Sequence, residues 1–401
     1  MTMTWSARHV VSAFLLGIAL IGPARAHADA QPRCYEIVTL QPGANIAAID
    51  AAAGTTLDRA DTAAGLYRVA LPPGSDPASE QAALLATPGV AAAEPDQPVN
   101  LPEAAQGSGP FYQASLTTAN YMGQYALGLI GATAAQSITT GTGTIIAVLD
   151  TGVTFTHPAL AGHLLPGYNV LSPGARPADV PTNVASNAND AVGHGTAVAG
   201  IIAAVAPGAS IMPIKVLDSD GWGTEFGLAE GIRYAVQHGA NVINLSLGMA
   251  APSAVVAQAI NDAAQHGVVV VAAAGNTGSA APTFPASAPH TLAVAATDAT
   301  DTKAPFSAYG AFVGVSAPGV AIDSAYYTGG YAWWSGTSMA APFVSGEVAL
   351  IRAALRYESV SDIVARVRGS ADPIDARNPG FAGRLGTGRI NLRAAVAAPH
   401  S

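Results

Sequence analysis

A doubly wound α/β domain, with a mostly parallel sheet and helices on both faces, is the fold class this sequence predicts, preceded by a small α+β module. Three observations predict it. The runs Thr144–Asp150, Ile211–Leu217, Asn241–Leu247, Val268–Gly275 and Thr291–Thr297 are almost continuously apolar, as strands buried on both faces are. Helical stretches at Gly195–Val205, Phe226–His238 and Ser253–His266 alternate with them, and such alternation builds a parallel sheet covered on both sides. The last two helices stop at Gly239 and Gly267, residues suited to the left-handed position that ends a helix.

Taken in order, residues 1–28 read as an export signal. Arg8 and His9 give a weakly basic start, Val10–Ile21 is mostly apolar, and Ala24-Arg25-Ala26 and Ala26-His27-Ala28 offer small residues for cleavage. The apolar run is shorter than the roughly 20 residues a bilayer span needs. A secreted product, extracellular or periplasmic, is therefore expected. Next, Cys34–Leu40 and Leu66–Leu71 read as strands and Ala44–Ala53 as a small-residue helix. Asp76-Pro77 sets an N-cap with proline in the first helical position, Glu80 falls in the first turn, Gly89 closes that helix, and Val90–Glu94 is strand-like. Pro95 to about Tyr121 is rich in Pro, Gly, Ser and Asn and reads as an exposed linker. The organisation predicted is a signal at 1–28, a module with its linker at 29–110, and a large domain at 118–398.

Composition narrows the function. Half of the 401 residues are apolar and 11% are charged, which fits a large buried core. A formal net charge of −9 with no cluster of Lys and Arg argues against nucleic acid as a partner. The one cysteine, Cys34, rules out a disulfide within the chain, and it reads as a small buried hydrophobe. No stretch beyond the signal has the length and composition of a membrane span.

The chemistry sits at strand ends and helix starts, where an open parallel sheet binds its ligands. Asp150 ends the run Ile145–Leu149 and opens Thr151-Gly152-Val153; alone it reads first as a turn or capping residue. His194, between Gly193 and Gly195, begins a helix of small residues, and the glycines are expected to leave room for a substrate beside the ring. Ser338 lies where Gly336-Thr337 opens an apolar helix to about Leu355. Pro342 is tolerable only near that helix's first turn, so the helix starts close to Ser338. A nucleophile there would gain the positive end of the helix dipole, although out of context an N-cap serine fits better. Ala273-Ala274-Gly275-Asn276 closes another strand, and the Asn276 amide can donate to an oxyanion or serve an ordinary turn.

Together, in the order Asp, His, Asn, Ser, these blocks resemble the subtilisin family of serine proteases. Asp-Thr-Gly at 150–152, His-Gly-Thr at 194–196 and Gly-Thr-Ser-Met-Ala-Ala-Pro at 336–342 are the family's signature blocks, and the likeness extends from Gln124 to Ala397. The resemblance implies a serine endopeptidase with Asp150, His194 and Ser338 as a triad and Asn276 in the oxyanion hole. It also implies that Gly221, Trp222 and Gly223, facing Ser246, Leu247 and Gly248, flank an extended peptide or protein substrate. Ala273, Ala274 and Gly275 would line the primary pocket, where the absence of charge favours apolar or broad preference. Residues 34–96 resemble the family's propeptide, which implies an intramolecular inhibitor and an autoprocessed zymogen. A monomer is expected. One departure is Ala197, where the family commonly has a second histidine.

No cofactor is needed for this chemistry. Family members often bind calcium, so a structural calcium ion is compatible, but no ligands are assigned to it. Asp218-Ser219-Asp220-Gly221 lacks the further acids of a calcium loop and reads as a turn. Gly141-Thr142-Gly143 precedes a strand, the wrong side for a dinucleotide loop. An esterase on an α/β fold would need Gly-x-Ser-x-Gly, which does not occur in the sequence.

Overall fold

The computed structural model describes residues 34–103, 111–112, 117–181, 190–355 and 359–397. The export signal read at 1–28 and linker residues 104–110 and 113–116 lie outside them.

The module comes first. Strands β1 (Tyr35–Leu40), β2 (Thr56–Asp61), β3 (Leu66–Ala70) and β4 (Val90–Pro95) form an antiparallel sheet in the order β2-β3-β1-β4, with helices α1 (Ile46–Ala53) and α2 (Pro77–Ala86). Asp76 caps α2 by accepting from the Ser79 N–H at 3.0 Å, and Pro77 occupies the first turn. That helix stops at Ala86 with Thr87 as its cap. Gly89, at φ +95°, therefore serves the turn into β4 instead of closing the helix. Strand β2 has no apolar alternation because it is a largely exposed edge, which is why its sequence does not announce it. Cys34 is exposed, not buried: it lies just outside β1, beyond the module's core.

The expected linker fails at both ends. Pro98–Asn100 is a strand, β5, and Val99 and Leu101 are buried. Thr118–Met122 is a helix, α3, with Tyr121 buried and its hydroxyl donating to the Gly200 carbonyl. Pro and Asn gave this segment a loop composition, but its apolar residues have partners on the large domain. Between these lies β6 (Phe111–Tyr112), which pairs with β16 (Tyr331–Trp334), itself paired to β15 (Ile322–Ala325).

The large domain holds seven parallel strands: β7 (Ile145–Asp150), β8 (Tyr168–Asn169), β9 (Ser210–Lys215), β11 (Val242–Leu245), β12 (Val269–Ala273), β13 (Thr291–Thr297) and β14 (Val313–Pro318). Their order is β14-β13-β12-β11-β7-β9-β8, so the direction of winding reverses at β7. A short strand, β10 (Trp222–Thr224), stands apart from this sheet. Short helices α4 (Tyr125–Leu129) and α5 (Ala132–Gln136) lead into β7. The main helices are α6 (His194–Val205), α7 (Glu225–Gln237), α8 (Ala254–Gln265) and α9 (Thr337–Ala354), with α10 (Val360–Ser370) and α11 (Leu392–Val396) at the end. Two-sided burial follows from the period of a strand. Ile146 and Val148 of β7, with Val269 and Val271 of β12, join the core beneath α6 and α9. Ala147, Leu149, Val270 and Ala272 join the core beneath α7 and α8. Strand β14 carries Gly314, Ser316 and Pro318, which break the apolar run that would have announced it.

The module sits on the α7/α8 layer. Ile37 and Leu66 enter that layer's core, and Arg59–Glu230 and Asp61–Arg233 bridge the two parts at 2.8 and 2.6 Å. Glu94 accepts from the Ser253 hydroxyl and the N–H groups of Ala254 and Val255 at the start of α8, while Asp96 accepts from the Phe226 N–H at the start of α7. Helix N-termini have unpaired N–H groups and favour negative charge.

Candidate active site

Asp150 is the last residue of β7, at the carboxyl edge where the winding reverses, and it is fully buried. Its Oδ1 accepts from the Thr151 N–H at 2.7 Å, and its two oxygens lie 2.8 and 3.0 Å from His194 Nδ1. His194 is the first residue of α6. The glycines on either side have a different role from the one expected. A Cβ on Gly193, which is at φ +96°, would reach 2.6 Å from the Tyr326 ring, and one on Gly195 would collide with the Gly152 carbonyl. They allow α6 to seat closely against the Asp150 turn, so their absent side chains are filled by protein. Asp179 pins this helix start by accepting from the N–H groups of Gly193 and Thr196 and from the Thr196 hydroxyl. The edge of the imidazole faces Trp334, with centroids 5.5 Å apart.

Ser338 is the second residue of α9. Pro342 lies deeper in the helix than the first turn, and it has no N–H for the carbonyl of Ser338 four residues back. Ser246 supplies the missing donor: its hydroxyl reaches that carbonyl at 2.9 Å. Ser246 thus supports Ser338 from behind instead of lining the pocket. Asn276 follows β12. Its Oδ1 accepts from the Thr337 N–H and hydroxyl at 2.9 and 2.8 Å, which fixes the amide and turns Nδ2 toward Ser338's side of the cleft.

Between these groups stands Glu103, which sequence reasoning left in an exposed linker. It is 3% exposed. Its Oε2 accepts from Ser338 Oγ at 2.8 Å and lies 3.6 Å from His194 Nε2, while Oε1 accepts from Asn276 Nδ2 at 2.9 Å. Burial opposes a charge on His194, but the carboxylates of Asp150 and Glu103 outweigh it and raise its pKa to about 10. Burial likewise pushes Glu103 up, and the neighbouring His194 imidazole with the hydrogen bonds from Ser338 and Asn276 brings it below the ordinary carboxylate range. A signal for Glu103 was present: it is the only acid between Asp96 and Asp150.

The expected substrate-binding residues divide into two groups. Gly221, Trp222 and Gly223 lie along β5: Trp222 is opposite Asn100, Gly223 opposite Val99, and the Leu101 N–H donates to the Gly221 carbonyl. On the other side Gly248 exchanges two backbone hydrogen bonds with Asn100, at 3.0 and 2.8 Å. Residues 98–101 thus fill the gap between two edges as an added strand. Beside it opens a cavity of about 590 Å³ walled by Leu247, Gly248, Ala273, Gly275 and Asn276 and closed by Thr283, with no charged lining residue. Ala274 is the exception. It is fully buried in a small cluster with Ala295 and Ala308 and takes no part in the wall, since alternation along the strand turns it to the opposite side. Among the described residues no group of three His, Cys, Asp or Glu side chains is placed to hold a metal ion, and no helix is long and apolar enough to cross a membrane. His157 is buried and bonded to the Gly330 carbonyl and the Ala159 N–H, a packing role.

A carboxylate-backed imidazole, a hydroxyl at a helix start and a fixed amide beside a strand-shaped groove are parts suited to acyl transfer on an extended chain. Comparison with known proteins points the same way. Residues 141–388 match the model of the subtilase family. Thermitase of Thermoactinomyces vulgaris is 43% identical over 283 residues, which cover 68% of this chain and 95% of that protein. Subtilisin BL of Lederbergia lenta is 39% identical over 266 residues, 64% of this chain and 92% of that one. Among solved structures, fervidolysin of Fervidobacterium pennivorans, a keratinolytic enzyme related to subtilisin, superposes with a TM-score of 0.76 at 27% identity. That match covers 92% of this chain, which spans 61% of fervidolysin.

Proposed function

This chain belongs to the subtilase family of serine endopeptidases, and from that premise we propose that Ser338 is its nucleophile, His194 its general base and Asp150 the base's partner. Ser338 Oγ attacks the peptide carbonyl while His194 takes its proton and later returns it to the leaving amine. Asp150 fixes the imidazole with Nε2 toward Ser338 and stabilises the imidazolium. The Asn276 amide and the Ser338 N–H receive the charge that develops on the carbonyl oxygen. The substrate lies extended between residues 221–223 and 248, held by backbone bonds that tolerate many sequences, with an apolar side chain in the cavity beside Ala273.

The observation that carries this reading is the 2.8 Å contact of Asp150 with His194 at the switch point, facing the start of the helix that bears Ser338. The chain is further proposed to be secreted after loss of residues 1–28 and to be made as a zymogen. Support for the zymogen comes from the chain's own residues 98–101, which occupy the strand position a substrate would take. A phosphonofluoridate should label Ser338 in the processed enzyme. The Ser338→Ala precursor should stay at full length in a protease-deficient host, while wild type loses roughly 80–90 residues, as the position of the linker dictates. Equal processing of both would defeat the autoprocessing reading.

A further inference from the structure

We infer that the catalytic centre contains a carboxylate-binding site made by Asn276 Nδ2, Ser338 Oγ and His194, and that Glu103 is its built-in occupant, a side-chain plug that holds the precursor inactive. The inference rests on the proposed roles of Ser338, His194 and Asn276. Occupying the groove is not what it adds: an extended segment such as residues 98–101 could itself be a substrate, whereas the plug acts on the reacting groups.

Three features carry it. First, Glu103 takes the side-chain contacts of two groups that the chemistry needs. Oε1 holds the Asn276 amide at 2.9 Å, and Oε2 holds the Ser338 hydroxyl at 2.8 Å. With the hydroxyl proton directed to Glu103, His194 Nε2 makes no hydrogen bond and faces Oε2 at 3.6 Å. The nucleophile is thus pointed at a carboxylate, which is no electrophile, and its link to the base is not made. Second, the backbone is shaped to deliver a side chain. The strand pairing of residues 98–101 stops at Pro102, which has no N–H to continue it, and Pro102 and Glu103 form a turn. Third, the space is reserved: a Cβ on Gly336 would overlap Glu103 Oε1.

Burying a carboxylate is costly unless charge and hydrogen bonds compensate it. Here a hydroxyl, an amide and the imidazolium of His194 do so. The groups facing that imidazolium are Asp150 from β7 and Glu103 from the turn after β5, and both hold its proton on. The sign follows by linkage. Asp150 contributes most of the rise in the His194 pKa and Glu103 adds to it. Only the Glu103 share belongs to the plug, so plugging favours the protonated imidazole, is strongest at lower pH and weakens as the imidazole loses its proton.

The test compares full-length wild-type, Glu103→Ala and Glu103→Gln precursors by their rates of phosphonofluoridate labelling at Ser338 and of self-processing. Removing the plug should speed labelling of the alanine precursor about ten- to hundred-fold, the range expected for lost charge-assisted hydrogen bonds. Wild-type labelling should climb more steeply from pH 7 to 10 than that of Glu103→Gln, which lacks the charge. Glu103→Gln keeps the volume and the turn and gives the answer should the alanine variant not fold. Wild-type rates in both variants, with the processed enzyme still labelled, would overturn the plug and leave the serine peptidase reading standing. No label at Ser338 in any form, processed enzyme included, would overturn both.

Discussion

The large domain builds two cores, one on each face of its sheet, with fully buried side chains as large as Phe226 and Phe343. The module in front of it has a core of Val38, Ile49, Val69, Leu71, Leu84, Val90 and Ala93, and it places Ile37 and Leu66 in its neighbour's core instead of its own. Its polar contacts are also turned outward: Arg59, Asp61, Glu94 and Asp96 all find partners on α7 or α8. A unit of this size has little stability of its own. One part is made to persist and the other to be held in place by it. That difference is the one the proposed zymogen would use.

Four experiments put this contrast to the test, beginning with the one of greatest consequence. Ser338→Ala should cost on the order of 10⁶ in kcat, the loss known for the subtilisin nucleophile. All of that loss belongs to the large domain, since the fold of both parts should survive. More than a few per cent of activity in a pure sample would remove Ser338 as nucleophile. Asn276→Ala should lower kcat by roughly 10²–10³ with KM little changed, as loss of one oxyanion donor does in subtilisin. A change confined to KM would assign the amide to ground-state binding.

The third compares cores directly. Leu84→Ala in the module and Phe343→Ala in α9 should each cost about 2–5 kcal/mol. The large domain has stability to absorb that and should only melt earlier. The module does not, so Leu84→Ala should lose the module's protection from proteolysis while the processed enzyme keeps its activity. Similar melting shifts in both parts would mean that the module is self-sufficient.

The fourth and smallest effect is on docking. Burial, then Glu94 and Asp96, raise Glu36 to about 7, and burial, then Glu94, raise Glu225 to about 8. Both values lie above the ordinary 4.5, so the docked form holds more protons between pH 4.5 and 8. Docking should therefore weaken as pH rises through that window, by at most about tenfold per pH unit for each group. Retention of the cleaved module on size-exclusion chromatography measures this, and Glu36→Gln with Glu225→Gln should flatten the profile.

Much of this was legible in the sequence, and the exceptions share a cause. Strand β13 was read to the residue, and β7, β12, α6, α7 and α8 to within one or two, because burial on both faces leaves an unbroken apolar run. Strands β2 and β14 were not: one is an exposed edge and the other is interrupted by Gly, Ser and Pro. At the site, Asp150, His194, Asn276 and Ser338 each carry a local signature of strand end or helix start. Ala274 was misread because a strand's alternation was not followed to its end. Glu103 had no local signature at all. Its partners are 91 to 235 residues away, and only folding brings a lone acid in a loop-like stretch to them.

The groove filled by residues 98–101 also has a meaning once it is empty. Two rows of unsatisfied backbone groups, on β10 and at Gly248, then face each other across the width of one strand. On most proteins such bare edges invite stray chains to pair and begin an aggregate. Under the proposed function, whatever pairs here is laid across Ser338 and severed. While residues 98–101 fill the gap both edges are paired, so the hazard begins only when that strand leaves, and the proposed cleavage chemistry is what would then keep the surface clean.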